Sequence, residues 1–140
     1  MNWKKSASSW RKSASAPELH SDLPVRPGGE SERIACEYLK KKGYRVIETN
    51  FRSVGAEIDI IAEKDETLCF VEVKGRLTDR YGLPAAFVDR RKQQRIIRAA
   101  KVFSTRKPYR DHAVRFDIIA VLDESGRPAI EHIENAFEEE

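Results

Sequence analysis

An α/β domain built on one central mixed β-sheet, flanked by helices, is the fold class this sequence predicts. Three observations point there. Two stretches of helical period, opening near residues 30 and 89, are separated by runs of β-branched and aromatic residues. Taken in order, the runs and stretches read α-β-β-β-α-β-β, an alternation that a central sheet satisfies. The chain has 140 residues, 40% hydrophobic and 35% charged, which is room for one cored domain and no more.

Each element has its own justification. Residues 1–29 mix Ser, Ala, Pro and Gly with two tryptophans and show no hydrophobic period, so residues 1–28 are predicted to form a disordered basic tail. The domain then spans 29–140. The first 17 residues are acid-free and Ser-rich, which superficially matches an organelle transit peptide, but they are short of arginine. In "ESERIACEYLKKKG", Ile34, Ala35, Tyr38 and Leu39 recur at helical spacing and Gly43 stands where a C-terminal cap belongs. "YRVIET" (44–49) is a short strand, and 57–63 and 68–74 form a hairpin around "KDET". "TDRYGLP" is loop. Asp89 caps the second helix, whose core face is Ile96, Ile97, Ala100 and Phe103. "AVRFDIIAVL" (113–122) is strongly β, and "SGRPAI" turns into a last strand, "AIEHI".

Composition narrows the function classes. No apolar stretch approaches the roughly 20 residues of a membrane helix, and no apolar core follows a basic N-terminus as in a secretory signal. Cys36 and Cys69 lie in apolar patterns without CxxC spacing, as reduced core thiols do, and a cytoplasmic location is expected. His20, His112 and His132 are scattered singly and make no zinc spacing. The net charge of +3 conceals a segregation. Residues 74–110 carry twelve Lys or Arg against two Asp, whereas 111–140 carry nine acids against two bases. A basic segment of this kind is an electrostatic footprint for a polyanion, or else a solvated Arg-rich helix face.

The chemistry concentrates in "IDIIAEKDETLCFVEVKGR", residues 58–76. Residues two apart on a strand share a face, so Glu72 and Lys74 project together while Val71 and Val73 point the other way. Asp59 reaches the same face from the neighbouring strand if the register permits. Two converging carboxylates suit a hard divalent cation, Mg²⁺ or Mn²⁺, and the adjacent lysine can hold a water or meet charge developing on a phosphate. An acid-x-Lys triplet carries little weight alone, and an ion pair on a solvated sheet face is the competing reading. The apolar neighbours of Glu72 weigh against that alternative. Glu30 opens the first helix and could swing in a third carboxylate, or simply complement the helix dipole.

The order Glu30, "YLKKKGY", "NFR", "EIDIIA", "FVEVKGR", "RFDIIAV" and "IEHIENAF" resembles the YraN-type family of predicted endonucleases over residues 29–137. That family is related to archaeal Holliday-junction resolvases and has the restriction-endonuclease-like PD-(D/E)xK fold. The resemblance implies metal-binding roles for Glu30, Asp59 and Glu72, with the backbone carbonyl of Val73 completing the shell and Lys74 as the catalytic lysine. The family places Gly directly before the Glu of "GEID"; here Ala56 stands there and Gly55 one earlier. Lys92 matches the family pattern in the first turns of the second helix, where it faces the site or is an exposed helix lysine. Arg76, Arg80 and Tyr81 lie in the loop after the catalytic strand, placed to meet phosphate or a splayed base. Asp117 is expected to have a structural hydrogen-bonding role. The reading this supports is a metal-dependent endonuclease acting on DNA, branched or repair intermediates included. Arg91, Arg95 and Arg98 would join the loop arginines and Lys92 on the nucleic acid, and a second copy of the chain is a candidate partner. The competing reading is a non-catalytic nucleic-acid-binding module that keeps the fold.

Overall fold

A computed structural model describes residues 29–77, 88–124 and 127–139. The tail 1–28, Arg80 and Tyr81 lie outside the described residues, and the Arg76 side chain is not described either. The elements follow the predicted order: α1 (Glu30–Lys41), β1 (Arg45–Ser53), β2 (Ala56–Lys64), β3 (Thr67–Leu77), α2 (Arg90–Ser104), β4 (Ala113–Glu124) and β5 (Arg127–Phe137). A short 3₁₀ turn, Lys107–Tyr109, leads from α2 into β4. The strands form one five-stranded sheet in sequence order, β1-β2-β3-β4-β5. All neighbours are antiparallel except β3 and β4, which run parallel because α2 crosses between them. The sheet is mixed, as expected.

Several strands run longer than the sequence pattern suggests. β1 continues through Phe51 to Ser53, because the β1–β2 turn sits at Val54 and Gly55, both with positive φ (43° and 79°). Two left-handed residues are the signature of a tight hairpin, and Gly55 supplies one without steric cost. The glycine displaced from its usual place therefore still makes the turn, and Ala56 opens β2. Asp65 and Glu66 (φ 51° and 62°) turn β2 into β3 in the same way.

The helices cover opposite faces. Ala35, Cys36 and Leu39 of α1 pack with Val46, Ile60, Ala62, Cys69, Val71 and Ile119. Ile96, Ile97, Ala100 and Phe103 of α2 pack with Phe51, Ile58, Ile61, Phe70, Phe116 and Ile118. Phe103 is fully buried, edge-on to Phe51 and Phe70. Truncating such an aromatic to alanine costs about 3–5 kcal/mol. Among the described residues no helix is long and apolar enough to cross a membrane.

One irregularity positions the site. The β2–β3 ladder runs from Lys64↔Thr67 up to Ile60↔Val71 and stops there. Continuation would set Asp59 opposite Glu72. Instead the strands part, and the apolar alternation breaks: Ile58 and Ile61 join one core cluster, Ile60 and Ala62 the other. α1 then closes on the same end of the sheet at Gly75. A Cβ there would collide with the Ser31 side chain, so only glycine lets the helix start come this close.

Candidate active site

Where β2 and β3 part, the Asp59 carboxylate takes over the missing ladder bond. Its Oδ2 accepts the Val73 N–H at 2.8 Å. Glu72, only 6% exposed, lies on the α2 side of β3, and Val73 packs toward the α1 side. Lys74 follows Glu72 on its own face, with Nζ 3.6 Å from Glu72 Oε2. A second lysine comes closer: Lys92 Nζ donates to the same oxygen at 2.6 Å. Asp89 fixes the start of α2 by accepting the Lys92 N–H at 2.8 Å, which aims the first turn at β3.

The electrostatics of the pair are unusual. Burial, and then the charge of Glu72, push the Asp59 carboxyl up from its ordinary 3.8 to about 7, against the Val73 N–H and Lys92, which favour the ion. Burial acts to lower the Lys92 ammonium, but the hydrogen bond and charge of Glu72, with Asp59 behind it, raise it on balance. Asp59 thus sits beside a second carboxylate with few donors of its own, while Lys92 and Lys74 both stand at Glu72 Oε2. That is the electrostatic condition for a hard cation with oxygen ligands. Among the described residues no three acidic or imidazole groups converge closely enough to hold an ion as they stand. The donor chemistry fits Mg²⁺ or Mn²⁺, with Lys92 now lying on the oxygen such an ion would take.

Glu30 does not supply the third carboxylate. Its side chain is 63% exposed and pairs with Arg33 at 2.7 Å, on the outer face with Glu37. The α1 acid whose charge reaches Asp59 is Glu32. The reason is helical phase. Glu32 precedes Ala35, Cys36 and Leu39 by three, four and seven residues, so it shares their inward face, whereas Glu30 lies roughly 200° around the axis. Glu32 is further tied to β1: Asn50 Nδ2 donates to its two oxygens at 3.2 and 3.4 Å and to Glu57 Oε2 at 2.9 Å. Asn50 adopts φ 53° within the strand, a conformation asparagine tolerates better than most residues. Sequence reasoning assigns no role to Glu32, Asn50 or Glu57. For Glu32 the spacing to the apolar face is the available signal; Asn50 and Glu57 need the β1–β2 register.

Along α2, Arg91 and Arg98 are exposed and Arg95 is half-buried, a basic stripe that begins beside Lys92. The helix carries no acid of its own. Asp117 sits elsewhere. It pairs with Val71 in the β3–β4 ladder and is fully buried, held by Arg115, His132 and the Asn135 N–H at 2.8–3.0 Å. That is the structural hydrogen-bonding role expected of it.

A family model described as "Uncharacterised protein family UPF0102" matches residues 31–121. The chain belongs to the UPF0102 family. The UPF0102 protein of Trichlorobacter lovleyi is 45% identical over 113 residues, 79% of this chain and 89% of that protein. The relative from Geobacter sulfurreducens is 47% identical over 112 residues, covering 79% and 88% of the two chains. That from Thermodesulfovibrio yellowstonii is 43% identical over 113 residues, covering 81% and 96%. The segment matched by the UPF0102 model takes in Glu32, Asp59, Glu72, Lys74 and Lys92 and begins one residue after Glu30.

Proposed function

We propose that this UPF0102 protein hydrolyses phosphodiester bonds of DNA in a reaction that requires a divalent metal, Mg²⁺ or Mn²⁺. The observation that carries the reading is the Asp59–Glu72 pair: a half-buried acid beside a buried one at a break in the sheet, the first pushed to about 7, with Lys74 on the face of Glu72. A bound cation would supply Lewis acidity and a water of lowered pKa. The chain's own residues would do the rest. Asp59 and Glu72 would hold the ion, with the Val73 carbonyl directly after Glu72 in sequence, and Glu32 would replace Glu30 as the helix carboxylate acting through water. Lys74 would orient the attacking water or offset the negative charge that develops on the phosphoryl oxygens in the transition state. Arg91, Arg95 and Arg98 hold the backbone without reading sequence, as phosphate contacts do. Branched and repair intermediates are the narrower substrate class proposed.

The second reading, a nucleic-acid-binding module without catalysis, draws on one observation. Lys92 already satisfies Glu72 at 2.6 Å, as in a site that never receives a metal.

Cleavage of single-stranded, duplex, flap and four-way DNA, each with Mg²⁺, Mn²⁺ or chelator, separates the two. The nuclease reading expects metal-dependent products that Lys74→Ala slows by on the order of 10²–10³ with little loss of affinity. Binding without products under any metal would establish the module instead.

A further inference from the structure

Lys92 is the member of the cluster whose position conflicts with a bound metal. Its ammonium lies 2.6 Å from Glu72 Oε2, an oxygen that is also a proposed ligand. A divalent ion seated there would face a like charge at contact distance in a partly buried site, where repulsion is screened less than in bulk water. The mobility of the partners is unequal. The Glu72 side chain is 7% exposed and fixed in β3, while the Lys92 side chain is 37% exposed on a long flexible stem. Its backbone is held by the Asp89 cap, so the ammonium can swing outward without moving α2. α2 offers it no carboxylate to settle on. Asp89 is engaged by the Lys92 N–H, and a substrate phosphate would be a further anion for the freed ammonium. Lys74 is placed differently: at 3.6 Å from Glu72 and more enclosed, it stands beside the oxygen without closing on it.

Resting on the nuclease reading, we propose that Lys92 is the resident counter-cation of Asp59 and Glu72, that metal entry expels it, and that the expelled ammonium engages the phosphate of bound DNA. Metal and DNA then bind cooperatively through one side chain. Each ligand strengthens the other by the same factor, as linkage requires. Lys92 is a positioning and exchange residue here, distinct from the stripe of Arg91, Arg95 and Arg98.

Titration calorimetry of Mn²⁺ on the full chain tests this, with and without a short phosphorothioate duplex, for the parent, Lys92→Met and Lys92→Arg. Lys92→Met keeps the apolar stem and removes the charge, so it should bind Mn²⁺ about tenfold more tightly without DNA, the worth of a modest charge interaction. In the parent, DNA should tighten Mn²⁺ by about 5–150-fold, and Lys92→Met should bring that factor close to one. Lys92→Arg keeps a cation and should retain weaker metal binding. Equal or weaker Mn²⁺ binding by Lys92→Met, or an unchanged coupling factor, overturns the exchange, as does a parent and a variant both blind to Mn²⁺. A parent that shows the coupling but never cleaves unsubstituted DNA leaves the exchange standing and refutes the catalytic reading.

Discussion

Two aspartates on one sheet, Asp117 fully buried and Asp59 half-buried, have opposite electrostatic fates. Burial disfavours both ions. At Asp117 the hydrogen bonds of His132, Arg115 and the Asn135 N–H outweigh that burial and hold the carboxyl below its usual range. The shell continues outward: Arg115 also donates to the Tyr44 hydroxyl at 2.5 Å, and His132 meets the Tyr38 hydroxyl at 3.0 Å. At Asp59 a single backbone donor and one shared lysine face burial plus a second carboxylate, and the carboxyl rises to about 7. A satisfied buried charge fastens β4 to β5 and, through the Tyr38 hydroxyl, to α1. An under-compensated one is the proposed seat of a cation. The number of donors separates architecture from chemistry.

Substitutions should therefore act with opposite sign. Asp117→Ala strands the Arg115 and His132 donors in the interior and should destabilise the domain by about 3–5 kcal/mol in urea denaturation. A loss under about 1 kcal/mol would mean the network is solvated and the contrast fails. Asp59→Asn should instead stabilise the metal-free domain above pH 7, by on the order of 1–3 kcal/mol. The pH window follows from the raised carboxyl. Between about pH 4 and 7 the folded state holds this proton more tightly than the unfolded one. The parent thus loses stability as pH rises through that window, and the Asn variant, whose amide still accepts the Val73 N–H, does not. Parallel pH-dependent melts of the two proteins check it. Smaller still is the contrast within α1. Glu30→Ala removes an exposed ion pair with Arg33 and should shift stability by less than about 1 kcal/mol. It should leave metal affinity unchanged, whereas Glu32→Ala should weaken it. The basic stripe completes the series. Reversing Arg91, Arg95 and Arg98 should flatten the salt dependence of DNA binding by about one unit of slope for each phosphate that the helix then fails to neutralise.

The fold is legible because local signals agree. Helical spacing in 34–39, the cap at Asp89 and the β-branched runs each name their element, and their order carries the sheet. Glu72 and Lys74 are legible for the same reason, since strand alternation alone places them together. What escapes depends on facts that sequence spacing does not record. Glu30 and Glu32 differ by two residues, and only the phase of α1 against Ala35 and Leu39 decides which of them turns inward. Asn50 and Glu57 meet through the β1–β2 hairpin, which reaches past Phe51 although the β pattern of the sequence fades at Thr49. Asp59 contributes through a break in strand pairing, which no alternation rule anticipates. Lys92 is visible as a site-facing candidate, but its closure on Glu72 depends on where α2 crosses β3.

The most direct test is the metal response of folding stability. At neutral pH the parent is melted against increasing Mn²⁺ or Mg²⁺, beside Asp59→Asn and Asp117→Asn. If Asp59 and Glu72 await a cation, the parent should gain roughly 2.7 kcal/mol at about 100 times the dissociation constant. Asp117→Asn, though less stable, should gain as much, and Asp59→Asn should gain nothing. A parent that does not respond, or an Asp59→Asn variant that responds like the parent, would contradict the assignment of this pair as the metal-binding centre.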